Sequence, residues 1–263
     1  MRAFAWLAAP SLLVTSMGAE ATPKRVVSLN LCTDELLLVL GSPKQIASVT
    51  HLSHQLQETR LASSARRYPA NVGSLLGILR FKPDLILTMG GGARDRQAIA
   101  GRLGIPIVDL PYPQHLADVQ RNLAVVGKAL GRPAAAAFVN ARIDGLRRSA
   151  PHSAADTLWM GGGGRTVAAT GLAADWMRLA GMRQRRVRGD RITLEQLLVR
   201  PPHILLRSAY RQGQFASEQR WLTHPLARRV RAGRTLATDG RAWTCMGPML
   251  VPEIARLRRE LAR

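Results

Sequence analysis

The residues that invite a chemical reading stand in a few short runs. Gly90-Gly91-Gly92 follows the apolar stretch Leu85 to Thr88, and Gly161-Gly162-Gly163 follows Leu158-Trp159-Met160. A glycine run lets backbone N–H groups approach a ligand closely. Neither run has the Gly-Lys-Ser/Thr of a phosphate loop or the GxGxxG spacing of a dinucleotide turn, so contact with another kind of ligand is expected. His51 and His54 are three apart and could share a metal-facing side, but no third ligand stands nearby and they read as a polar loop. Cys32 and Cys245 are the only cysteines; they have no CxxC spacing, and whether they pair is open. Ser28, Ser74, Ser149 and Ser208 sit in no GxSxG elbow. The carboxylates are few and isolated, so no acid–base pair and no catalytic residue is assigned. Trp159, Tyr210 and Trp243 fall at the ends of strands, where a large flat ligand could stack. Trp176 reads as core, and Trp221 as packing in a surface turn.

The elements that must hold these residues follow from the pattern around them. Arg25 to Leu29 predicts a strand, and Thr33-Asp34-Glu35 caps a helix over Leu36 to Leu40 that Gly41 ends. Ile46 to Val49 predicts a strand, Leu75 to Phe81 a helical turn or two, and Leu85 to Thr88 a strand. Arg94 to Leu103 predicts a helix and Gly104 to Val108 a further strand. Such alternation points to parallel α/β layers. Leu116, Val119, Leu123, Val126 and Leu130 mark a long helix, and a second runs from Ala134 to Arg148 after Pro133. The second half then echoes the first. LLGILRFKPDLIL (75 to 87) and LEQLLVRPPHILL (194 to 206) each combine a short helix, a basic residue near a proline and an apolar strand. In this echo His203 fills the turn position of Asp84, a structural role. LTMGGG (87 to 92) and LWMGGG (158 to 163) form another pair. The expected fold is α/β: two similar α/β lobes joined by a single long helix, with a ligand cleft between them. The expected boundaries are an N-terminal lobe over 22–130, a connecting helix over 131–150 and a C-terminal lobe over 151–263.

Residues 1–21 combine a short positive start, an apolar run from Ala3 to Val14 and the small-x-small site Ala19-Glu20-Ala21. They are expected to be a secretory signal peptide, too short for a permanent membrane anchor. Nearly half of the 263 residues are apolar, which excludes a disordered or fibrous chain. The net charge of +21 would attract anions, nucleic acid or an anionic membrane face. The arginines are spread along the chain rather than gathered in a stripe, and the chain is exported, so no nucleic-acid partner is expected.

RVVSLNLCTDELLLVLG, FKPDLILTMGGGARDRQAIAGRLGIPIVDL, TLEQLLVRPPHILL and AWTCMGP, in that order and spacing, resemble a known family. It is the Fe/cobalamin-type (class III, helical-strut) periplasmic substrate-binding proteins of ABC importers. The resemblance covers nearly all of the chain after residue 21. It implies two lobes on one rigid helix in the periplasm, holding a metal chelate for delivery to an inner-membrane ABC permease. The chelate would be cobalamin or another corrinoid, a ferric siderophore, or haem. A monomer with no cofactor and no resident metal is expected. Position by position, the resemblance implies a cleft lined by Asn30, Leu31, Cys32, His51, Leu52, Met89 and Gly90 from the first lobe. The second lobe would supply Met160 to Arg165, Arg207 to Tyr210, and Trp243 to Cys245. Where cobalamin binders carry aromatic residues this chain has Leu52, Ser74 and Met89, which leaves the chelate open. Arg165, Arg207 and Arg211 are placed to meet carboxylates of such a ligand. Cys32 and Cys245 fall at the two cleft edges, where they either pair across it or stay free near the ligand. Permease docking resembles a grip by one acidic residue per lobe: Glu195 matches in the second, while Leu76 stands at the first-lobe position, with Glu58 or Asp95 as substitutes. The rival readings are an enzyme on a two-lobed α/β scaffold and a basic polyanion-binding protein.

Overall fold

The computed structural model of the chain describes residues 22–90, 94–210, 224–225 and 233–263. The expected signal peptide, Gly91, Gly92, Arg211 and Trp221 lie outside the described residues. Strands β1 (Val26–Ser28), β2 (Ile46–Thr50), β3 (Ala70–Asn71), β4 (Leu85–Met89) and β5 (Ile107–Leu110) form a parallel sheet in the order β3-β2-β1-β4-β5. Strands β6 (Ala155–Met160), β7 (Met182–Gln184), β8 (Ile204–Ala209) and β9 (Arg234–Asp239) form a second parallel sheet in the order β7-β6-β8-β9. The described helices are α1 (Leu31–Leu40), α2 (Ala62–Ala65), α3 (Leu75–Ile78), α4 (Arg94–Arg102), α5 (Leu116–Ala129), α6 (Pro133–Arg148), α7 (Leu172–Leu179), α8 (Leu194–Val199), α9 (Ala242–Cys245) and α10 (Leu250–Leu261).

Period-2 alternation divides the core between the sheet faces. Val26, Leu85 and Leu87 face one large cluster, while Val27, Leu29 and Ile86 pack on Leu75 and Ile78. In the second sheet Ile204 and Leu206 join the large cluster, whereas Leu158, Met160 and Leu205 pack on Ile192 and Leu197. The large cluster is continuous from Val26 through Leu123 and Ile143 to Trp176 and Ile254, so one core ties both lobes to the helices between them. α6 carries the chain from one lobe to the other and packs on α5 and α10; α5 packs on α1, β5 and α7. A Cβ at Gly127 of α5 would fall 2.5 Å from that of Ala136 in α6, so the pair can meet this closely only at a glycine.

Two local expectations change. α1 starts at Leu31, capped by the Asn30 side chain, which accepts the Thr33 N–H at 3.0 Å. Thr33 is inside the helix because its hydroxyl is held by Ser28 Oγ at 2.7 Å. The strand expected from Gly104 begins instead at Ile107, because the Ile105 N–H still bonds to Ala100 O at 2.9 Å and closes α4.

Of the two sequence echoes, one follows the topology. α3–β4 and α8–β8 occupy matching places, since β2-β1-β4-β5 in the first sheet corresponds to β7-β6-β8-β9 in the second. The glycine echo joins β4 to β6, which do not correspond: the partner of β6 is β1. In the first echo Asp84 accepts the N–H groups of Lys24 and Arg25 (2.7 and 2.8 Å), and His203 O accepts that of Arg234 at 2.9 Å. Both turns start a strand.

Candidate ligand-binding cleft

Each sheet reverses its strand order once, between β1 and β4 and between β6 and β8, and the crevice at such a point is where open α/β sheets bind ligands. In the second lobe this crevice is a cavity of about 430 Å³. Trp159, Gly161, Arg165, Ser208, Tyr210 and Trp243 line it. The two indole rings meet at 6.0 Å between centroids, tilted by 59°, a favoured aromatic arrangement. Trp243 is fixed by donating Nε1–H to Thr238 Oγ1 at 2.8 Å. A Cβ on Gly161 would sit 3.2 Å from the Trp159 ring, so the glycine lets the ring lie against the backbone. Arg165 stands at the exposed rim, bridged through its backbone to Arg191.

The first-lobe wall is made by the carboxyl ends of β1 to β5. Asn30 donates to Met89 O at 3.3 Å and so ties the tips of β1 and β4 together. His51 is exposed, with Nδ1 3.3 Å from Asn71 O, and Leu52 is 37% exposed. Gly90 has φ +120°, and a Cβ there would fall 3.0 Å from the Tyr112 ring. That ring, after β5, is 61% exposed, and Val72, after β3, is 74% exposed.

Among the described residues, His115 and the Leu116 N–H reach Asp175 at 3.1 and 3.3 Å beside the connecting helices, and further links join the lobes at the cleft. Cys32 and Cys245 form a disulfide, with Cα atoms 5.2 Å apart. The Tyr210 hydroxyl donates to Glu58 Oε2 at 2.5 Å. Arg241 donates to Leu56 O at 2.7 Å while its fork grips Asp239 at 2.9 and 2.7 Å. Arg60 reaches Asp239 at 3.6 Å and Glu253 at 3.7 Å. Burial would raise the Asp239 carboxyl, but hydrogen bonds from Arg241 and the charges of Arg241 and Arg60 outweigh it and hold it below its ordinary value.

The cleft floor contains what composition concealed. Asp34 and Glu35, expected to cap the helix over Leu36 to Leu40, are 0% and 2% exposed. Burial raises Asp34 against hydrogen bonds from Ser28, Thr50 and Ser53. Burial first, then the neighbouring Asp34, pushes Glu35 up to about 8 against the Thr59 hydrogen bond. Glu35 Oε1 takes the Thr59 hydroxyl at 3.2 Å, and Oε2 has no hydrogen-bond partner among the described residues.

Of the expected site residues, Arg165, Tyr210 and Trp243 share the second-lobe cavity, and Cys32, Met89 and Cys245 share a separate, smaller one. Met160 is corrected: it is 0% exposed and packs in the core with Leu158, because alternation that turns Trp159 to the cavity turns Met160 away. Arg207 stands on the strand face of Leu205, opposite to Ser208, which lines the cavity. Leu31 is buried in the first turn of α1. Glu58 is corrected as a docking residue, since it is 6% exposed and engaged by Tyr210. Glu195 is exposed in the first turn of α8, and Leu76, at the matching place in α3, is 72% exposed. Tyr112 and Val72 were missed; Tyr112 carries the signal that singled out Tyr210, an aromatic directly after a strand. Among the described residues no three His, Cys, Asp or Glu side chains gather as a metal site.

A periplasmic binding protein family model matches residues 26–236. No curated protein sequence matches the chain. Among solved structures, the periplasmic heme-binding protein HutB of Vibrio cholerae is similar with a TM-score of 0.71 and 17% identity, over 91% of this chain and 99% of that one. A periplasmic heme-binding protein from Pseudomonas aeruginosa gives 0.64 and 21%, over 90% and 92%. The periplasmic vitamin B12-binding protein BtuF of Vibrio cholerae gives 0.64 and 18%, over 92% and 97%.

Proposed function

The chain belongs to the periplasmic binding protein family, and from that premise we propose that it captures a metal chelate and hands it to an inner-membrane ABC import permease. The chelate is of corrinoid, ferric-siderophore or haem type, and the protein does no chemistry on it. The observation that carries this reading is the aromatic-floored cavity of about 430 Å³ at the second sheet's switch point. Its size falls within the range of small-molecule sites, and it combines apolar walls with few polar groups. Trp159, backed by the buried Trp243, offers a face to a flat ligand, Arg165 a guanidinium to its carboxylates, and Leu52, Val72 and Tyr112 an opposing first-lobe wall. The haem and vitamin B12 carried by proteins of the same fold support this class of ligand.

Four finer statements belong to the same proposal. The lobes span 22–130 and 151–263 with the connector over 131–150, residues 1–21 are removed on export to the periplasm, and the protein acts as a monomer. Glu195 is the docking residue of the second lobe toward the permease. The test is quenching of tryptophan fluorescence by cobalamin, cobinamide, haem and ferric siderophores. One of them is expected to bind with a Kd below about 1 μM, and failure of all of them to do so overturns the reading.

A further inference from the structure

Apart from the aromatic cavity there is a second group of reactive side chains that ligand capture does not use. Cys32, in the first turn of α1, and Cys245, at the end of α9, are bonded across the cleft and both remain partly exposed to solvent. Glu35 lies three residues after Cys32, on the same side of the helix. The three residues line a common cavity of about 20 Å³, enough for one water molecule. The other side chains around it, including Met89, Val119 and Asn122, carry no charge. Glu35 Oε2 is buried without a hydrogen-bond partner among the described residues. A disulfide that only staples two lobes has no use for a carboxyl group at its flank, and burying one is costly.

We propose that the Cys32–Cys245 bond is a thiol–disulfide exchange site at which Glu35 supplies the proton to the departing Cys32 sulfur, so that an external dithiol removes the covalent link between the two lobes. A thiolate of the dithiol attacks Sγ of Cys245 and forms a mixed disulfide there. The bond to Cys32 breaks, and its electron pair goes to Cys32 Sγ. Glu35 passes its proton to that sulfur directly or through one water, leaving a thiol and a carboxylate. The second thiol of the reductant, as its thiolate, then displaces Cys245, whose sulfur takes a proton from solvent while solvent reprotonates Glu35. One dithiol is oxidised to a disulfide, and two cysteine thiols are formed. Among the described residues, what still joins the lobes includes the Tyr210–Glu58 hydrogen bond, the Arg241 and Arg60 contacts and the bonds from His115 and Leu116 to Asp175. Glu35 is held protonated to about 8 by burial first and by the neighbouring Asp34, so it can act as an acid at neutral pH.

The test contains no ligand, so its outcome is separate from that of the receptor reading. The oxidised chain is reduced with dithiothreitol from pH 6 to 9, and free thiols are counted by alkylation and mass spectrometry. After correction for the thiolate fraction of the reductant, the wild-type rate is expected to fall as pH rises through about 8. Glu35→Gln is expected to react at least about tenfold more slowly at pH 7 and to show a flat corrected profile. A flat wild-type profile, equal rates in the two chains, or reduction that occurs only under unfolding conditions each overturns the proposal.

Discussion

Replacing Glu35 by Gln probes the electrostatic state of the cleft floor in a way that stability alone can read. The carboxyl is raised from its ordinary 4.5 to about 8, by burial first and Asp34 second. An acid with a raised folded pKa holds its proton more tightly in the native state than in the unfolded one. Between pH 4.5 and 8 the unfolded chain therefore binds fewer protons, and stability falls as pH rises through that window. Below the window the contribution is intact, and above it the loss is complete and level. One pH unit corresponds to about 1.4 kcal/mol, so the loss reaches about 3 kcal/mol by pH 7 and about 4 kcal/mol at pH 8, levelling at about 5 kcal/mol above it. Gln keeps the shape and can still accept from Thr59, but it is neutral in both states and escapes this loss. Urea unfolding of both chains, compared at equal slopes, should give curves that lie close at pH 5 and diverge toward pH 8, with Gln the more stable. Asp34 titrates in the same direction in both chains and cancels from the difference. A gap that stays constant from pH 5 to 8, or a Gln variant less stable at pH 8, would refute the reasoning.

Three further outcomes test the cleft. Trp243→Leu removes the ring contact with Trp159 and the bond to Thr238, so chelate affinity should drop at least tenfold in a fluorescence titration, with about 2 kcal/mol lost in urea unfolding. Arg165→Glu should weaken carboxylate-bearing chelates by about tenfold or more while sparing uncharged ones, a difference visible by calorimetry. Glu195→Lys, on the exposed first turn of α8, should leave chelate affinity unchanged and lower uptake by permease in reconstituted vesicles.

Much of the fold was legible because its signals are local. LLGILRFKPDLIL became α3, a 3-10 turn and β4, and LEQLLVRPPHILL became α8 and β8, since a proline beyond the first turn stops a helix. The glycine echo was a match of letters, for nothing in LTMGGG or LWMGGG states where its strand lies in a sheet. The start of α1 was misplaced for a related reason. SLNLCTDE holds four residues of capping type, and the choice of Asn30 depends on Thr33 being drawn back to Ser28. Capping signals name candidates, and tertiary contacts choose among them.

The site was legible where strand geometry decides and illegible where the two lobes meet. The phase of β6 was available in sequence: Leu158 and Met160 are alternately placed with Trp159, so only one set can face the cavity. By contrast, the disulfide joins residues 213 apart and the Tyr210–Glu58 bond residues 152 apart, and no local pattern encodes either. Glu35 is the sharpest instance. Thr-Asp-Glu at a helix start reads as a cap, yet α1 is packed by β1, β2, β4, α5 and α9, which leaves its acids nowhere to go but inward. A chain selected for stability alone would place an apolar residue there, because a buried carboxyl costs free energy over most of the physiological pH range. Retaining one beside a disulfide that links both lobes breaks local consistency at a single point, and such points are where function is expected.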